Sequence, residues 1–198
     1  QDGAELEGIL QHGVHEDTGL ILVRLLSERL GLKYEARQSG SRCMHTTERR
    51  ITGVDGISLF LRVWSPDQSS SQPEGKAVIQ FLHGQGEYGG RYAHLAEFLT
   101  DQGYIIYVSD HRGHGRTVFE QPEDAREEHR IPGHMADQDG WQKCLDDQEI
   151  VRRLIREEQP GLPLILAGHS LGSLMIQDML IQDSHRWDLA VLMSSRGG

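Results

Sequence analysis

The chain has 198 residues, with 20 Lys and Arg against 30 Asp and Glu, for a formal charge of −10. Wholesale nucleic-acid binding is excluded, because phosphates require a basic face. Hydrophobic residues make up 37%, and 23 glycines add to them, an ordinary share for a domain with one core, so overall disorder is excluded as well.

Residues 1–45 begin acidic and then place Leu20, Val23, Leu26 and Leu30 at helical spacing, with Asp17 or Thr18 as N-cap and Gly31 as the stop. This predicts one amphipathic helix in an N-terminal extension. It either packs on the domain surface or docks on a membrane interface or a partner. Arg24, Glu28 and Arg29 interrupt the run, so it is no spanning helix, and no small-residue cleavage site follows it. Cys43 and Cys144 stand far apart without metal-ligand spacing, which predicts neither a metal site nor a disulfide framework and favours a cytoplasmic setting, with peripheral membrane contact as the alternative.

A second unit, residues 46–198, has a different texture. Arg50–Gly53 and Ile57–Trp64 around Asp55-Gly56 predict a hairpin, and Ser65–Lys76 a polar loop. Strands Ala77–Leu82, Tyr104–Asp110, Leu164–Ala167 and Leu189–Met193 then alternate with helices Arg91–Gln102, Gly140–Gln159 and Ser170–Gln182. The helix from Gly140 gathers Trp141, Leu145, Val151, Leu154 and Ile155 on one face, with Asp139 as its cap and Pro160-Gly161 at its end. Such alternation predicts an α/β fold with a mostly parallel sheet and helices on both faces.

Gly168-His169-Ser170-Leu171-Gly172 has the pattern G-x-S-x-G at a strand-to-helix junction. A sharp turn there exposes the Ser170 hydroxyl, and the flanking glycines remove Cβ atoms that would collide across it. The alternative is an ordinary glycine-rich turn with Ser170 as N-cap. A nucleophilic serine needs N–H donors for a developing oxyanion. Leu171 offers one, and Gln85 in His83-Gly84-Gln85-Gly86, after the strand AVIQFL, offers the other; read alone, that loop could equally cradle a phosphate. His111 and His114, on a tight Gly-bounded loop, are read as wall residues rather than the base, and His83 and His169 as structural.

Taken together, HGQGEYGGRY (83–92), SDHRGHGRT (109–117), ADQDGW (136–141) and GHSLGS (168–173) resemble, in order and spacing, the α/β-hydrolase superfamily. Within it they are most similar to the monoacylglycerol lipase and lysophospholipase-like, serine aminopeptidase-type branch, over residues 46–198. The resemblance implies Ser170 as nucleophile, the Gln85 and Leu171 amides as oxyanion hole, no cofactor or metal, and a carboxylic ester substrate, often a single-chain lipid. It leaves open a peptidase or thioesterase of the same superfamily, or a non-catalytic binding module. It also implies a triad acid and base on later strand-end loops, whereas Gly198 follows directly on the strand after the nucleophile helix. Asp178, Asp183, His185 and Asp188 sit in the wrong places for those roles. The expectation is therefore a fold truncated after that strand, inactive alone, with Leu189–Met193 as an exposed apolar edge.

Overall fold

A computed structural model describes Gly31, residues 44–67 and residues 74–194. The helix expected over residues 20–30 lies outside the described residues. The fold below belongs to the compact unit Arg42–Gly198.

Two antiparallel strands, β1 (His45–Thr52) and β2 (Ser58–Ser65), pair from His45↔Ser65 to Thr52↔Ser58 around the 3₁₀ turn Val54–Gly56. Strand β1 starts well before Arg50, where the alternating pattern begins. Its HTTE segment is exposed, so the pairing is fixed by the ladder to β2 and not by apolar content. β3 (Ala77–Leu82) and β4 (Tyr104–Ser109) are buried at all six positions. They flank helix α1 (Ala93–Asp101) in sequence and pair in parallel, the signature of a crossover.

After β4 come a short helix α2 (Gly115–Phe119) and a 3₁₀ turn Glu127–Arg130, both absent from the sequence expectation because five and four residues carry no readable period. Helix α3 (Gly140–Glu158) follows, then β5 (Leu164–His169), helix α4 (Leu171–Asp183) and β6 (Leu189–Met193). The strand order is β1-β2-β4-β3-β5-β6, antiparallel on the hairpin side and parallel from β4 to β6. The α/β architecture with a mostly parallel sheet is as expected. Among the described residues β6 forms one edge, with Leu189 and Leu192 partly exposed.

The cap expected at Asp139 is corrected. Its φ is 54°, a left-handed conformation, and its side chain makes no capping bond; its carbonyl instead accepts the Lys143 N–H at 2.9 Å. Helix α3 is also less apolar inside than its periodicity suggested, since Asp147 and Gln148 are buried beside Cys144, Leu145, Val151 and Ile155. Asp147 is there to meet Arg112, whose side chain is fully buried. Arg112 donates Nε to Asp147 Oδ2 at 2.6 Å, Nη2 to Asp147 Oδ1 at 3.1 Å and to the Val54 carbonyl at 2.7 Å, and Nη1 to Asp55 Oδ1 at 3.1 Å. One guanidinium thus ties the loop after β4 to α3 and to the hairpin turn.

Candidate active site

Strands β3 and β5 are parallel neighbours, and Leu82 pairs with Gly168. The loops leaving their carboxyl ends, 83–87 and 169–171, therefore emerge side by side. Gly172 presses α4 against this junction, since a Cβ there would lie 2.2 Å from the Leu82 carbonyl oxygen. Gly168 is equally confined, because its Cβ would sit 2.9 Å from the Gly172 carbonyl carbon. The two glycines of G-x-S-x-G are thus close-approach positions, as the spacing suggested.

Between them Ser170 has φ 50° and ψ −113°, a backbone conformation that an L-residue enters only at a cost of roughly 1–3 kcal/mol. Its side chain makes no N-capping bond to α4, so the ordinary-cap alternative does not describe this turn. The strain is held in place by backbone and buried hydroxyl bonds. Ser170 N–H donates to the Met193 carbonyl at 2.9 Å, at the end of β6. The fully buried Ser173 Oγ lies 2.6 Å from the Gly168 carbonyl and 2.8 Å from the Met193 carbonyl, and accepts the Met193 N–H at 2.9 Å. Sequence reasoning overlooked Ser173, which reads as one more small residue in a helix.

Gln85 is exposed on the neighbouring loop, and Leu171 is the first residue of α4, where an N–H has no intrahelical acceptor. Neither N–H has an acceptor among the described residues. The three residues singled out, Ser170, Leu171 and Gln85, are thus brought to one end of the sheet with two open donors.

Behind the loop lies a buried histidine cluster, with the His83 and His111 ring centroids 3.8 Å apart and those of His83 and His114 5.3 Å apart. His83 Nε2 accepts the His111 N–H at 2.9 Å, so its proton is on Nδ1, which donates to the Gly84 carbonyl at 2.8 Å. His111 Nε2 is 3.1 Å from the His83 carbonyl, and His114 Nδ1 is 2.7 Å from that of Arg112. The sequence marks His83 as structural and His111 and His114 as wall residues; all three rings are buried behind the loop.

Burial holds the His83 pKa down at about 3, against the opposing pull of the Gly84 bond and Glu87; burial likewise holds His111 well below the ordinary range. A histidine with a lowered folded pKa contributes stability above its unfolded value of 6.5 that is lost as pH falls toward 3. Stability is therefore expected to drop between pH 8 and pH 5, by about 2 kcal/mol from His83 alone. Urea midpoints measured across that range check this, and a flat profile would contradict a neutral His83 and His111.

Later acidic and basic residues are engaged elsewhere. Asp178 accepts Trp141 Nε1–H at 2.6 Å and Asp183 accepts Arg186 at 2.9 Å. Asp188 accepts the Leu164 N–H at 2.7 Å, at the amino end of β5, about 15 Å of strand from its carboxyl end. His185 N–H donates to Asp183. Among the described residues no imidazole hydrogen-bonds the Ser170 hydroxyl.

Among the described residues two groupings have metal-ligand spacing, Asp55–Glu128–His129 and Glu128–His134–Asp137. In the first, Lys143 at 2.8 Å and Arg112 at 3.1 Å already neutralise Asp55. Both groupings involve residues outside the Ser170 turn. Among the described residues no helix is long and apolar enough to cross a membrane.

Comparison with known proteins agrees with this fold. The family model described as serine aminopeptidase, S33, matches residues 73–196. The chain is 31% identical over 126 residues to a monoacylglycerol lipase of Mycolicibacterium smegmatis, covering 64% of this chain and 38% of that one. It is 32% identical over 122 residues to the monoglyceride lipase of Homo sapiens, covering 62% and 34%. It thus spans well under half the length of these curated relatives. Among solved structures, a thermostable carboxyl esterase from Bacillus coagulans superposes with a TM-score of 0.65 at 21% identity, over 78% of this chain and 46% of that one. A soluble variant of monoglyceride lipase from Saccharomyces cerevisiae superposes with a TM-score of 0.57 at 18% identity, over 81% and 47%.

Proposed function

The chain belongs to the serine aminopeptidase S33 family, and from that premise we propose that it carries the nucleophile and oxyanion half of a carboxylic ester hydrolase site. Ser170 is the nucleophile, and the Gln85 and Leu171 N–H groups receive the oxyanion. The observation that carries this reading is the strained Ser170 backbone, held between β5 and α4 by close-packed glycines, beside two unpartnered N–H groups. Strain at a serine that caps nothing is otherwise a cost without a return.

In the reaction, Ser170 Oγ attacks the ester carbonyl carbon and loses its proton to a base; the carbonyl oxygen takes the negative charge between the two N–H groups. Collapse expels the alcohol, which receives that proton, and leaves an acyl-serine for water to cleave. A glycerol monoester of a single-chain lipid is the substrate class favoured by the relatives named monoacylglycerol and monoglyceride lipase. The family description names an aminopeptidase, so amino-acid anilides are the competing substrate to assay beside glycerol monoesters.

With no imidazole on Ser170 among the described residues, the hydroxyl is oriented but not activated. The 198-residue chain is expected to react with a fluorophosphonate probe at Ser170 about 10³-fold or more slowly than a serine hydrolase with its base in place. Ser170→Ala abolishes the reaction. Labelling that survives this substitution, or no labelling of the wild type over a day at millimolar probe, removes the assignment.

A further inference from the structure

We infer that Glu87 is a positioning residue of this site, its carboxylate fixing the Gly84 N–H at the root of the Gln85 loop and joining it to the residue before Ser170. The inference rests on Gln85 N–H being an oxyanion donor.

Glu87 is only 12% exposed, and four groups converge on it. Its Oε2 accepts the Gly84 N–H at 3.0 Å and a short bond from the Tyr92 hydroxyl, and lies 3.3 Å from His169 Nδ1. Its Oε1 faces Arg91 Nη1 at 3.2 Å. An ionised carboxylate only accepts, with about four lone-pair directions, so it alone among side chains of this length satisfies so many donors at once. Burial pushes its pKa up, but bonds from His169, Tyr92 and Gly84 outweigh this and hold it at about 2. It is therefore a fixed negative charge at any working pH.

The consequence falls on the two peptide planes that meet at Gly84. Glu87 holds the Gly84 N–H and His83 Nδ1–H holds the Gly84 carbonyl, so both polar atoms of Gly84 are tied. In a trans peptide the next N–H points opposite to that carbonyl. With the Gly84 carbonyl turned inward to the buried His83, the Gln85 N–H is turned outward, on the exposed side of the loop. Gly84 cannot carry a side chain here, since a Cβ would lie 2.8 Å from Glu87 Oε2 and 3.1 Å from His169 Nδ1. His169 ends β5 and precedes Ser170, so the Glu87–His169 contact sets the spacing between donor loop and nucleophile.

A purely structural carboxylate would affect stability and leave the chemistry proportional to the folded fraction. The test therefore pairs amide hydrogen exchange at Gly84 with the fluorophosphonate labelling rate at Ser170, both on the folded 198-residue chain. Glu87→Ala is expected to raise Gly84 exchange at least tenfold, leave the β3 and β5 amides protected, and slow labelling about tenfold. Glu87→Gln keeps the volume and one acceptor, and is expected to fall between wild type and alanine; it carries the test if the alanine variant does not fold. Unchanged Gly84 exchange overturns the clamp. Faster exchange with unchanged labelling overturns its role in positioning while leaving the Ser170 assignment standing. A wild type unlabelled at Ser170 defeats the functional reading itself, and with it this inference.

Discussion

Arg112→Ala is expected to cost about 3–5 kcal/mol of folding stability, because it leaves the Asp147 carboxylate buried with one N–H partner and no counter-charge. The guanidinium sits at 0% side-chain exposure and Asp147 at 2%, so water cannot take over the lost bonds. Asp147 would retain only the Val54 N–H at 2.8 Å, and the Val54 carbonyl would keep only the long bond from the Ile57 N–H at 3.4 Å. Asp55 suffers less, since Lys143 still reaches it at 2.8 Å. The loss thus concentrates on one buried anion. Arg112→Lys keeps the charge but not the fork that serves Asp147, Val54 and Asp55 together, so it recovers only part of the loss. Pairing Arg112→Met with Asp147→Leu removes both charges and is expected to be more stable than Arg112→Ala, since an apolar pair needs no counter-ion. Urea unfolding of the four proteins measures this; a single-site loss below about 1 kcal/mol would show that the pair is not buried in solution.

The same contact shows where sequence reading stops. The Ser170 turn was legible because everything it needs is local: an apolar strand, two glycines, a serine and a helix within about a dozen residues. Strands β3, β4 and β5 were legible for the same reason, each being a short apolar run, and Gln85 because its loop follows one of them. Arg112 and Asp147 are 35 positions apart, and Glu87 and His169 are 82 apart. No periodicity encodes such a pairing. A buried arginine looks like any charged loop residue until the partner appears, and nothing local marks Asp147 as that partner. Asp139 misled in the opposite direction. The residue type suits a cap, but the chain enters α3 through a left-handed turn that carries the side chain out of reach. The short helix α2 is held mainly by buried side-chain bonds, with Thr117 Oγ1 donating to the Asp110 carbonyl at 2.7 Å and accepting the Phe60 N–H at 2.8 Å, which no window of five residues reveals.

Gly172→Ala is expected to separate stability from chemistry at the Ser170 turn. The added Cβ would fall 2.2 Å from the Leu82 carbonyl oxygen and 2.6 Å from its carbon, both backbone atoms of a fully buried residue. Neither can rotate away, because Leu82 is locked in register with Gly168 across the β3–β5 ladder. The relief available is to lift the start of α4 from the end of β3 by roughly an ångström. Overpacking of this kind costs about 1–3 kcal/mol. The displacement also moves the Leu171 N–H and Ser170 away from the Gln85 loop, and misplacement by about 1 Å can cost on the order of 10²-fold in rate. Gly86→Ala is the contrast. Gly86 has φ +71° but nothing within 4 Å of a built Cβ, so alanine there meets only left-handed strain of about 1–2 kcal/mol and no clash. The two variants should therefore lose similar stability in urea while differing in Ser170 labelling, which falls by well over tenfold for Gly172→Ala and much less for Gly86→Ala. Equal labelling rates at equal folded fraction would mean that the close approach of α4 to β3 does not set the spacing between nucleophile and donor.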